Sequence, residues 1–95
     1  MPDTHPAAPR VEIFTGPHCG YCHRAKALLA HKSLTFRERD ASSPDVRTEM
    51  LQRLPGARTV PQIFIDGRHV GGCDDLEALE SCGELDALIA GAATR

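Results

Sequence analysis

Two cysteines separated by two residues, Cys19 and Cys22, are the side chains of this sequence best suited to covalent chemistry. They follow a short apolar segment and open a segment whose apolar residues recur at helical spacing, so Cys19 is predicted to lie at a helix N-terminus. The free N–H groups and positive dipole of a helix N-terminus favour the thiolate, which is the nucleophilic form of cysteine. Cys22 falls one turn later on nearly the same face, within reach of a disulfide. The pair therefore predicts thiol–disulfide exchange with Cys19 as the nucleophile.

The charged residues around this pair are mostly basic. No acidic residue lies between Glu12 and Glu38, and His18 and His23 flank the two cysteines. We expect positive charge here to favour the Cys19 thiolate, whereas the plainer interpretation makes these residues a solvated helix face. The four lysine and arginine residues concerned are Arg24, Lys26, Lys32 and Arg37.

The length and composition fit one domain of ordinary globular type. The chain has 95 residues, of which 41% are hydrophobic and 25% are charged, and this length is too short for two separate cores. Residues 1–9 contain three prolines and mainly small or polar side chains. We therefore expect a mobile tail over residues 1–9 and a single domain over residues 10–95.

Charge and hydropathy argue against several functional classes. The formal net charge of −2 gives no reason to expect a nucleic-acid partner, and no stretch approaches the roughly 20 apolar residues that cross a bilayer. Residues 1–9 lack the basic-then-apolar order of a secretory signal. Four cysteines are too few for a disulfide scaffold. We expect a cytoplasmic protein, in which a close cysteine pair is redox-active or binds a metal.

Apolar periodicity and turn residues predict an α/β fold with the order βαβαββα and a final short turn of helix. A right-handed crossover makes the second strand parallel to the first, and Asp66-Gly67 predicts a two-residue hairpin turn. The resulting sheet has four strands, is mixed, and is flanked by helices. The predicted strands are residues 11–14, 34–37, 63–65 and 68–70. The predicted helices run to His31, from the cap Ser43 to Pro55, from the cap Asp74 with its partner Glu77 to Gly83, and through Leu85 to Ile89.

Three motifs in register resemble the glutaredoxins of the thioredoxin superfamily, in particular the small bacterial dithiol glutaredoxins. The motifs are residues 19–26, which contain Cys-Gly-Tyr-Cys, residues 59–65, which begin Thr-Val-Pro, and residues 71–76, Gly-Gly-Cys-Asp-Asp-Leu. The resemblance extends from about Val11 to Leu88 and implies a thioredoxin-like fold.

The resemblance also implies a glutathione site. In glutaredoxins the peptide bond before the residue matching Pro61 is cis and faces the reactive cysteine, so the Val60 backbone would pair with the cysteinyl residue of glutathione. The Asp74 N–H would bind the γ-glutamyl carboxylate, and the Asp75 carboxylate would bind the adjacent ammonium group. Tyr21 and Thr59 would form the two walls of the groove.

The activity implied by the resemblance is that of a glutathione-dependent thiol–disulfide oxidoreductase, also called a thioltransferase. Its partners would be glutathione, used as a co-substrate, and proteins that carry glutathione mixed disulfides or protein disulfides. Cys19 would be the catalytic nucleophile, and Cys22 would resolve a mixed disulfide at Cys19 when the substrate is a protein disulfide. The protein would work as a monomer.

Two positions depart from the family pattern, and the first of them keeps an alternative open. Gly20 stands where most dithiol glutaredoxins have proline. It resembles the subset that holds a [2Fe-2S] cluster between two protomers through the first cysteine of each protomer, here Cys19, and two glutathione thiols. The alternative function is therefore a cluster carrier or sensor that acts as a cluster-bridged dimer. Gly16 stands where many relatives have a lysine for the glutathione glycine carboxylate, and Arg58 either compensates for it or is an ordinary surface arginine.

The remaining cysteines, Cys73 and Cys82, are expected to be packed or structural residues, with glutathionylation of Cys73 as the alternative. A four-cysteine zinc site is disfavoured, because these two residues are not spaced as a second Cys-x-x-Cys pair.

Overall fold

The computed structural model describes residues 10–93, and the predicted tail over residues 1–9 lies outside them. Within the described residues the strands are β1 (Val11–Thr15), β2 (Phe36–Asp40), β3 (Gln62–Ile65) and β4 (Arg68–Gly71). The helices are α1 (Gly20–His31), α2 (Pro44–Arg53), α3 (Cys73–Ser81) and α4 (Glu84–Ala93). This order confirms the predicted α/β succession. The single domain over residues 10–95 stays a prediction.

The strands form one mixed sheet in the order β2-β1-β3-β4, as predicted. β1 and β2 run parallel, because α1 crosses between them, and β3 pairs antiparallel with both β1 and β4. The β3–β4 hairpin turns at Asp66 and Gly67, whose φ angles of 51° and 79° are the positive values that a two-residue turn of this kind requires. The register of β3 and β4 shifts between Ile63 and Phe64.

Alternating side chains of the central strands fill two cores, one on each face of the sheet. Ile13 and Ile63 lie on the face covered by α1, α3 and α4, together with fully buried Leu29. Phe14 and Phe64 lie on the other face and meet edge to face with ring centroids 6.0 Å apart. Truncating a fully buried side chain such as Leu29 to alanine lowers the free energy of unfolding by about 2–5 kcal/mol. These cores therefore contribute strongly to the stability of the sheet and its helices.

Several predicted boundaries were wrong. β2 begins at Phe36 rather than Leu34, because the Leu34 N–H bonds the Leu29 carbonyl at 3.0 Å and so belongs to the end of α1. β2 also continues to Asp40, along the whole length of β1. The last helix is not a short turn but spans Glu84–Ala93.

A further correction concerns the start of α3. The N-cap is Gly72 rather than Asp74, and the Asp75 carboxylate accepts a 3.0 Å hydrogen bond from the Gly72 N–H. Glu77 is therefore not the capping partner, and it pairs with Arg24 of α1 instead. At α2, Ser43 occupies the N-cap as predicted, although its side chain makes no capping hydrogen bond.

Candidate active site

Cys19 lies at the N-cap of α1, as the sequence predicted. Its backbone is extended, with φ −110° and ψ 105°, and its Sγ accepts a 3.1 Å hydrogen bond from the Cys22 N–H. The preceding residue, His18, has a φ of 55°, which turns the chain from β1 into the helix. Cys19 is half-buried, so its sulfur is held by the helix N-terminus and still borders solvent.

Cys22, one turn along α1, has the opposite environment. Its side chain is only 2% exposed. Burial, reinforced by the neighbouring Cys19 sulfur, raises the pKa of the Cys22 thiol to about 11, although a hydrogen bond from the Gly16 backbone opposes the change. Cys22 is therefore a protonated thiol at neutral pH.

The loop before β3 brings its backbone to the Cys19 sulfur. The Val60–Pro61 peptide bond is cis, as the resemblance implied. The Cys19 Sγ donates to the Val60 carbonyl over 3.7 Å, and Pro61 is buried. The sulfur thus touches the docking edge predicted for an extended peptide, and in this reduced state it uses the Val60 carbonyl itself.

A groove of about 530 Å³ runs along this loop toward the start of α3. It brings together the six residues that the resemblance assigned to glutathione, which are Tyr21, Thr59, Val60, Pro61, Asp74 and Asp75. The five other lining residues are Gln62, His69, Gly71, Gly72 and Cys73. Gln62 and His69 were not predicted as site residues. Two sequence patterns point to them. Strand alternation places Gln62 on the same face of β3 as Phe64, and the two-residue hairpin pairs His69 with Phe64.

The α3 end of the groove is acidic and tightly packed. Asp74 and Asp75 lie in the first turn of α3, where helix N–H groups also favour a bound carboxylate. Gly71 has a φ of 124°, and a Cβ atom there would lie 2.2 Å from Asp75 Oδ2. Only glycine therefore lets Asp75 fold back over the chain to reach Gly72.

A second, smaller cleft of about 250 Å³ adjoins the groove and is basic. The two clefts share Thr59 and Val60, and the smaller one carries the exposed side chains of Arg47 and Arg58. Gly16 also lines it, and a Cβ atom at Gly16 would lie 3.2 Å from Val60 Cγ2. Val60, whose carbonyl accepts a hydrogen bond from Cys19 Sγ, thus lines both the groove with the acidic end and the basic cleft.

The basic stretch predicted around the cysteines is mostly neutralised by acids from elsewhere in the fold. Arg24 pairs with Glu77 at 2.6 Å, and its guanidinium carbon lies 5.6 Å from the centre of the Tyr21 ring. Lys26 pairs with Glu38 at 3.0 Å. Lys32 pairs with two acidic residues, Glu80 and Asp86. These pairs favour the interpretation of a solvated helix face over that of free positive charge beside Cys19.

The other two cysteines, Cys73 and Cys82, differ from each other in burial. Cys73 is 3% exposed at the start of α3, and burial, together with the nearby Glu77 carboxylate, raises the pKa of its thiol. Cys82 is exposed at the C-cap of α3. Residues 10–93 contain no group of three or more histidine, cysteine, aspartate or glutamate side chains that could hold a metal ion. None of the helices described is long and apolar enough to cross a membrane.

Comparison with known proteins gives concordant results. The family model described as Glutaredoxin matches residues 11–70. Glutaredoxin 3 of Escherichia coli K12 is 51% identical over 79 residues, which cover 83% of this chain and 95% of the relative. A glutaredoxin of Pseudomonas aeruginosa PAO1 is 52% identical over 82 residues, which cover 85% of this chain and 96% of the relative.

Structural comparison points in the same direction. The crystal structure of a buckwheat glutaredoxin–glutathione complex superposes with a TM-score of 0.77 at 28% identity. The superposition covers 90% of this chain and 80% of the buckwheat chain. The thioredoxin-like fold implied by the sequence motifs is thereby confirmed.

Proposed function

This chain belongs to the glutaredoxin family of thiol–disulfide oxidoreductases, and we propose that it reduces glutathione mixed disulfides and protein disulfides through Cys19 and Cys22. The observation that carries the proposal is the contrast between the two thiols. The Cys19 sulfur borders solvent and accepts a helix N–H, whereas Cys22 is buried and protonated. Cys19 is therefore the thiol that meets the substrate first, and Cys22 reacts only in a later step.

Reduction of a glutathione mixed disulfide uses Cys19 alone. The Cys19 thiolate attacks the glutathione sulfur of a protein–glutathione disulfide, a new S–S bond forms, and the protein sulfur leaves as a thiolate that takes up a proton. A second glutathione, as its thiolate, then attacks the glutathione sulfur bound to Cys19. Glutathione disulfide leaves, and the Cys19 thiolate is regenerated with the help of the N–H groups of α1.

Cys22 enters when the substrate is a protein disulfide. Attack by Cys19 then joins the enzyme to the substrate through a mixed disulfide, and Cys22 lies one helical turn away. Cys22 loses its proton to solvent or to the departing sulfur and attacks the Cys19 sulfur. The substrate leaves as a dithiol, and a Cys19–Cys22 disulfide remains to be reduced by two glutathiones. The buried, protonated state of Cys22 delays this step until Cys19 is occupied.

The two clefts suit glutathione, which has charged groups at both ends. We assign its ammonium group to the Asp75 carboxylate, its γ-glutamyl carboxylate to the Asp74 N–H, and its cysteinyl backbone to Val60. The glycine carboxylate would then reach the basic cleft. There Arg47 and Arg58 take the place of the lysine that many relatives have at the position of Gly16. The glutathione named in the buckwheat complex supports this ligand.

Tyr21 completes the groove on the side of α1. Its side chain is 55% exposed and lies beside the Arg24 guanidinium. Thr59 faces the groove from the opposite loop. We propose the cytoplasm as the compartment, because four cysteines are too few for a disulfide scaffold and a close cysteine pair suits redox chemistry in a reducing environment.

Substitution of each cysteine in turn tests the division of labour. We expect Cys19→Ser to abolish glutathione-linked reduction of a glutathione mixed disulfide, whereas Cys22→Ser retains much of it. Cys22→Ser should lose reduction of protein disulfides. The matched control is Cys82→Ser, which removes an exposed thiol far along the chain at the end of α3. Equal losses for Cys19→Ser and Cys22→Ser with the mixed disulfide would contradict the proposal.

A second function, as a carrier or sensor of a [2Fe-2S] cluster, is favoured by Gly20. Gly20 is exposed at the start of α1, and a Cβ atom there would have no neighbour within 4 Å, so the backbone beside Cys19 is open. The chain offers Cys19 as one ligand, and no metal-binding group of three side chains exists within residues 10–93. A cluster shared by two copies would take one Cys19 from each copy and two glutathione thiols.

Anaerobic reconstitution with iron, sulfide and glutathione tests this second function. A cluster-bridged form would absorb visible light and elute as a dimer, and Cys19→Ser would lose both properties. A colourless monomer at all protein concentrations would exclude the cluster role and leave the oxidoreductase proposal untouched.

A further inference from the structure

Three side chains form a continuous row of hydrogen bonds along one wall of the groove. His69 Nε2 lies 2.8 Å from Gln62 Oε1. The Gln62 Nε2 group lies 3.0 Å from the Thr59 carbonyl and 3.3 Å from Thr59 Oγ1. All three residues line the groove that also holds Tyr21 and Asp75. We call these residues, Thr59, Gln62 and His69, the groove-wall row.

The row has a direction, because an amide has one acceptor end and one donor end. The Gln62 Nε2 group donates both to the Thr59 carbonyl and to the Thr59 hydroxyl. The Gln62 carbonyl oxygen must then face a donor, and His69 supplies one through its Nε2–H. Because Thr59 Oγ1 accepts within the row, its own proton is free to be donated into the groove.

The far end of the row is anchored in the core. His69 pairs with Phe64 across the β3–β4 hairpin, and their ring centroids lie 5.1 Å apart. Phe64 is 4% exposed, so the imidazole rests on a fixed surface. Gln62 lies two residues before Phe64, on the same face of β3. The orientation of a groove side chain is thus set by a residue on the neighbouring strand.

We propose that Gln62 and His69 are positioning residues, which orient the Thr59 hydroxyl as a donor to an acceptor oxygen of the glutathionyl group. The proposal rests on the proposed function, since it assumes that this groove holds glutathione. The acceptor is one of the carbonyl or carboxylate oxygens of the glutathionyl group. Thr59 lies where the groove meets the basic cleft, at the end assigned to the glycine carboxylate.

The test compares KM with kcat for the mixed disulfide of glutathione and a small thiol. Loss of one neutral hydrogen bond corresponds to a rise in KM of roughly two- to tenfold, and we expect Gln62→Leu, His69→Phe and Thr59→Val each to show it with kcat preserved. Thr59→Ser should restore the KM lost in Thr59→Val. The matched control is Arg68→Gln, an exposed residue on β4 next to His69 but outside the groove.

A double-mutant cycle separates positioning from simple packing. If Gln62 acts through the Thr59 hydroxyl, the Thr59→Val/Gln62→Leu double variant will have about the same KM as Thr59→Val alone. Gln62→Glu provides a second variant of almost the same shape. A carboxylate still accepts from His69 but cannot donate to Thr59, so its KM should rise as well. Additive effects in the cycle, or an unchanged KM in both Gln62 variants, would overturn the proposal.

A substrate without glutathione distinguishes this failure from failure of the proposed function. In a single turnover with 2-hydroxyethyl disulfide, which has neither a peptide backbone nor a carboxylate, the pre-reduced wild type and the Gln62→Leu variant should react at the same rate, because no glutathionyl group occupies the groove. A slower Gln62→Leu reaction would indicate general damage to the site and overturn the proposal. Absence of glutathione-linked activity in the wild type itself would instead reject the proposed function.

Discussion

The Cys22 backbone N–H donates a 3.1 Å hydrogen bond to the Cys19 sulfur, while the Cys22 side chain is buried beneath the helix start. The same turn of α1 therefore treats the two thiols in opposite ways. It donates a hydrogen bond to the Cys19 sulfur and buries the Cys22 side chain, and burial raises the pKa of the Cys22 thiol to about 11. This asymmetry supports the proposal that Cys19 makes the first attack and that Cys22 acts only after a mixed disulfide has formed.

Alkylation of the reduced protein should reveal this asymmetry. At pH 7 iodoacetamide should modify Cys19 and leave Cys22 unmodified, because Cys19 is half-buried at the helix start whereas Cys22 is buried and protonated. Raising the pH toward about 11 increases the Cys22 thiolate fraction, so its modification should accelerate over that range. Peptide mass spectrometry measures each site. In urea both cysteines should react, and equal modification of both at pH 7 in the folded protein would contradict the assignment.

The same raised pKa predicts a loss of stability in alkali. An unfolded thiol ionises near its ordinary value of 9.0, whereas the folded Cys22 thiol ionises near 11. Burial of the neutral thiol therefore contributes fully below pH 9, and its contribution is lost as the pH rises from 9 through about 11. Urea unfolding at pH 7, 9 and 10.5 should show a smaller decline for Cys22→Ala than for the wild type. If the free energy of unfolding declined with the same slope in the two proteins, the result would argue against a raised pKa for Cys22 in the folded protein.

Two glycines in the site region should respond differently to alanine. Gly71 has a φ of 124°, and its Cβ would lie 2.2 Å from Asp75 Oδ2, so Gly71→Ala must displace Asp75. We expect a loss of about 1–3 kcal/mol in the free energy of unfolding and a raised KM for the glutathione mixed disulfide. Gly20→Ala is the matched control, since no atom lies within 4 Å of its Cβ position. Similar behaviour of the two variants would show that the close approach at Gly71 does not matter.

Asp75 has a structural and a proposed binding role, and Asp75→Asn separates them. The amide oxygen can still accept the hydrogen bond from Gly72, so thermal unfolding should change little. The negative charge proposed to meet the glutathione ammonium group is lost, and we expect KM to rise roughly tenfold or more. Asp74→Asn is the control, because the proposed contact at Asp74 is its backbone N–H. A larger KM effect at Asp74 would reverse the two assignments.

Acid stability should depend on a carboxylate beneath α2. Burial opposes ionisation of Glu12, but hydrogen bonds from Arg53 and Arg39 outweigh it and lower its pKa below the ordinary value of 4.5. The stabilisation is therefore present above pH 4.5 and is lost as the pH falls through the lower, folded-state pKa. Glu12→Gln should cost about 1–3 kcal/mol at pH 7 and nearly nothing in strong acid.

Urea unfolding at pH 7 and pH 3 measures this difference. Glu84→Gln is the control, because Glu84 forms no ion pair with any residue from 10 to 93. The wild type and Glu84→Gln should lose stability in parallel on acidification, whereas Glu12→Gln should show a flatter response. Parallel curves for all three proteins would show that the Glu12 ion pairs contribute nothing.

Local patterns sufficed where neighbouring residues set the outcome. The start of α1 at Cys19 follows from apolar spacing and the preceding strand, and the turn at Asp66 and Gly67 follows from their tolerance of positive φ. The start of β2, which was predicted at Leu34, and the cap of α3 were harder to predict from the sequence. In both places the deciding hydrogen bond, from Leu34 to Leu29 or from Gly72 to Asp75, competes with a local alternative of similar strength.

The sequence by itself determined the order of the elements, the family, and which thiol lies at a helix start, because each depends on residues close together in the chain. Only the tertiary structure decided how those groups are tuned. Burial of Cys22 requires the sheet, and neutralisation of Arg24 requires Glu77 from a helix 53 positions away. The row from His69 to Thr59 requires two strands in a register that includes a shift. Solvent exclusion and long-range pairing depend on the packed fold, and no local pattern contains them.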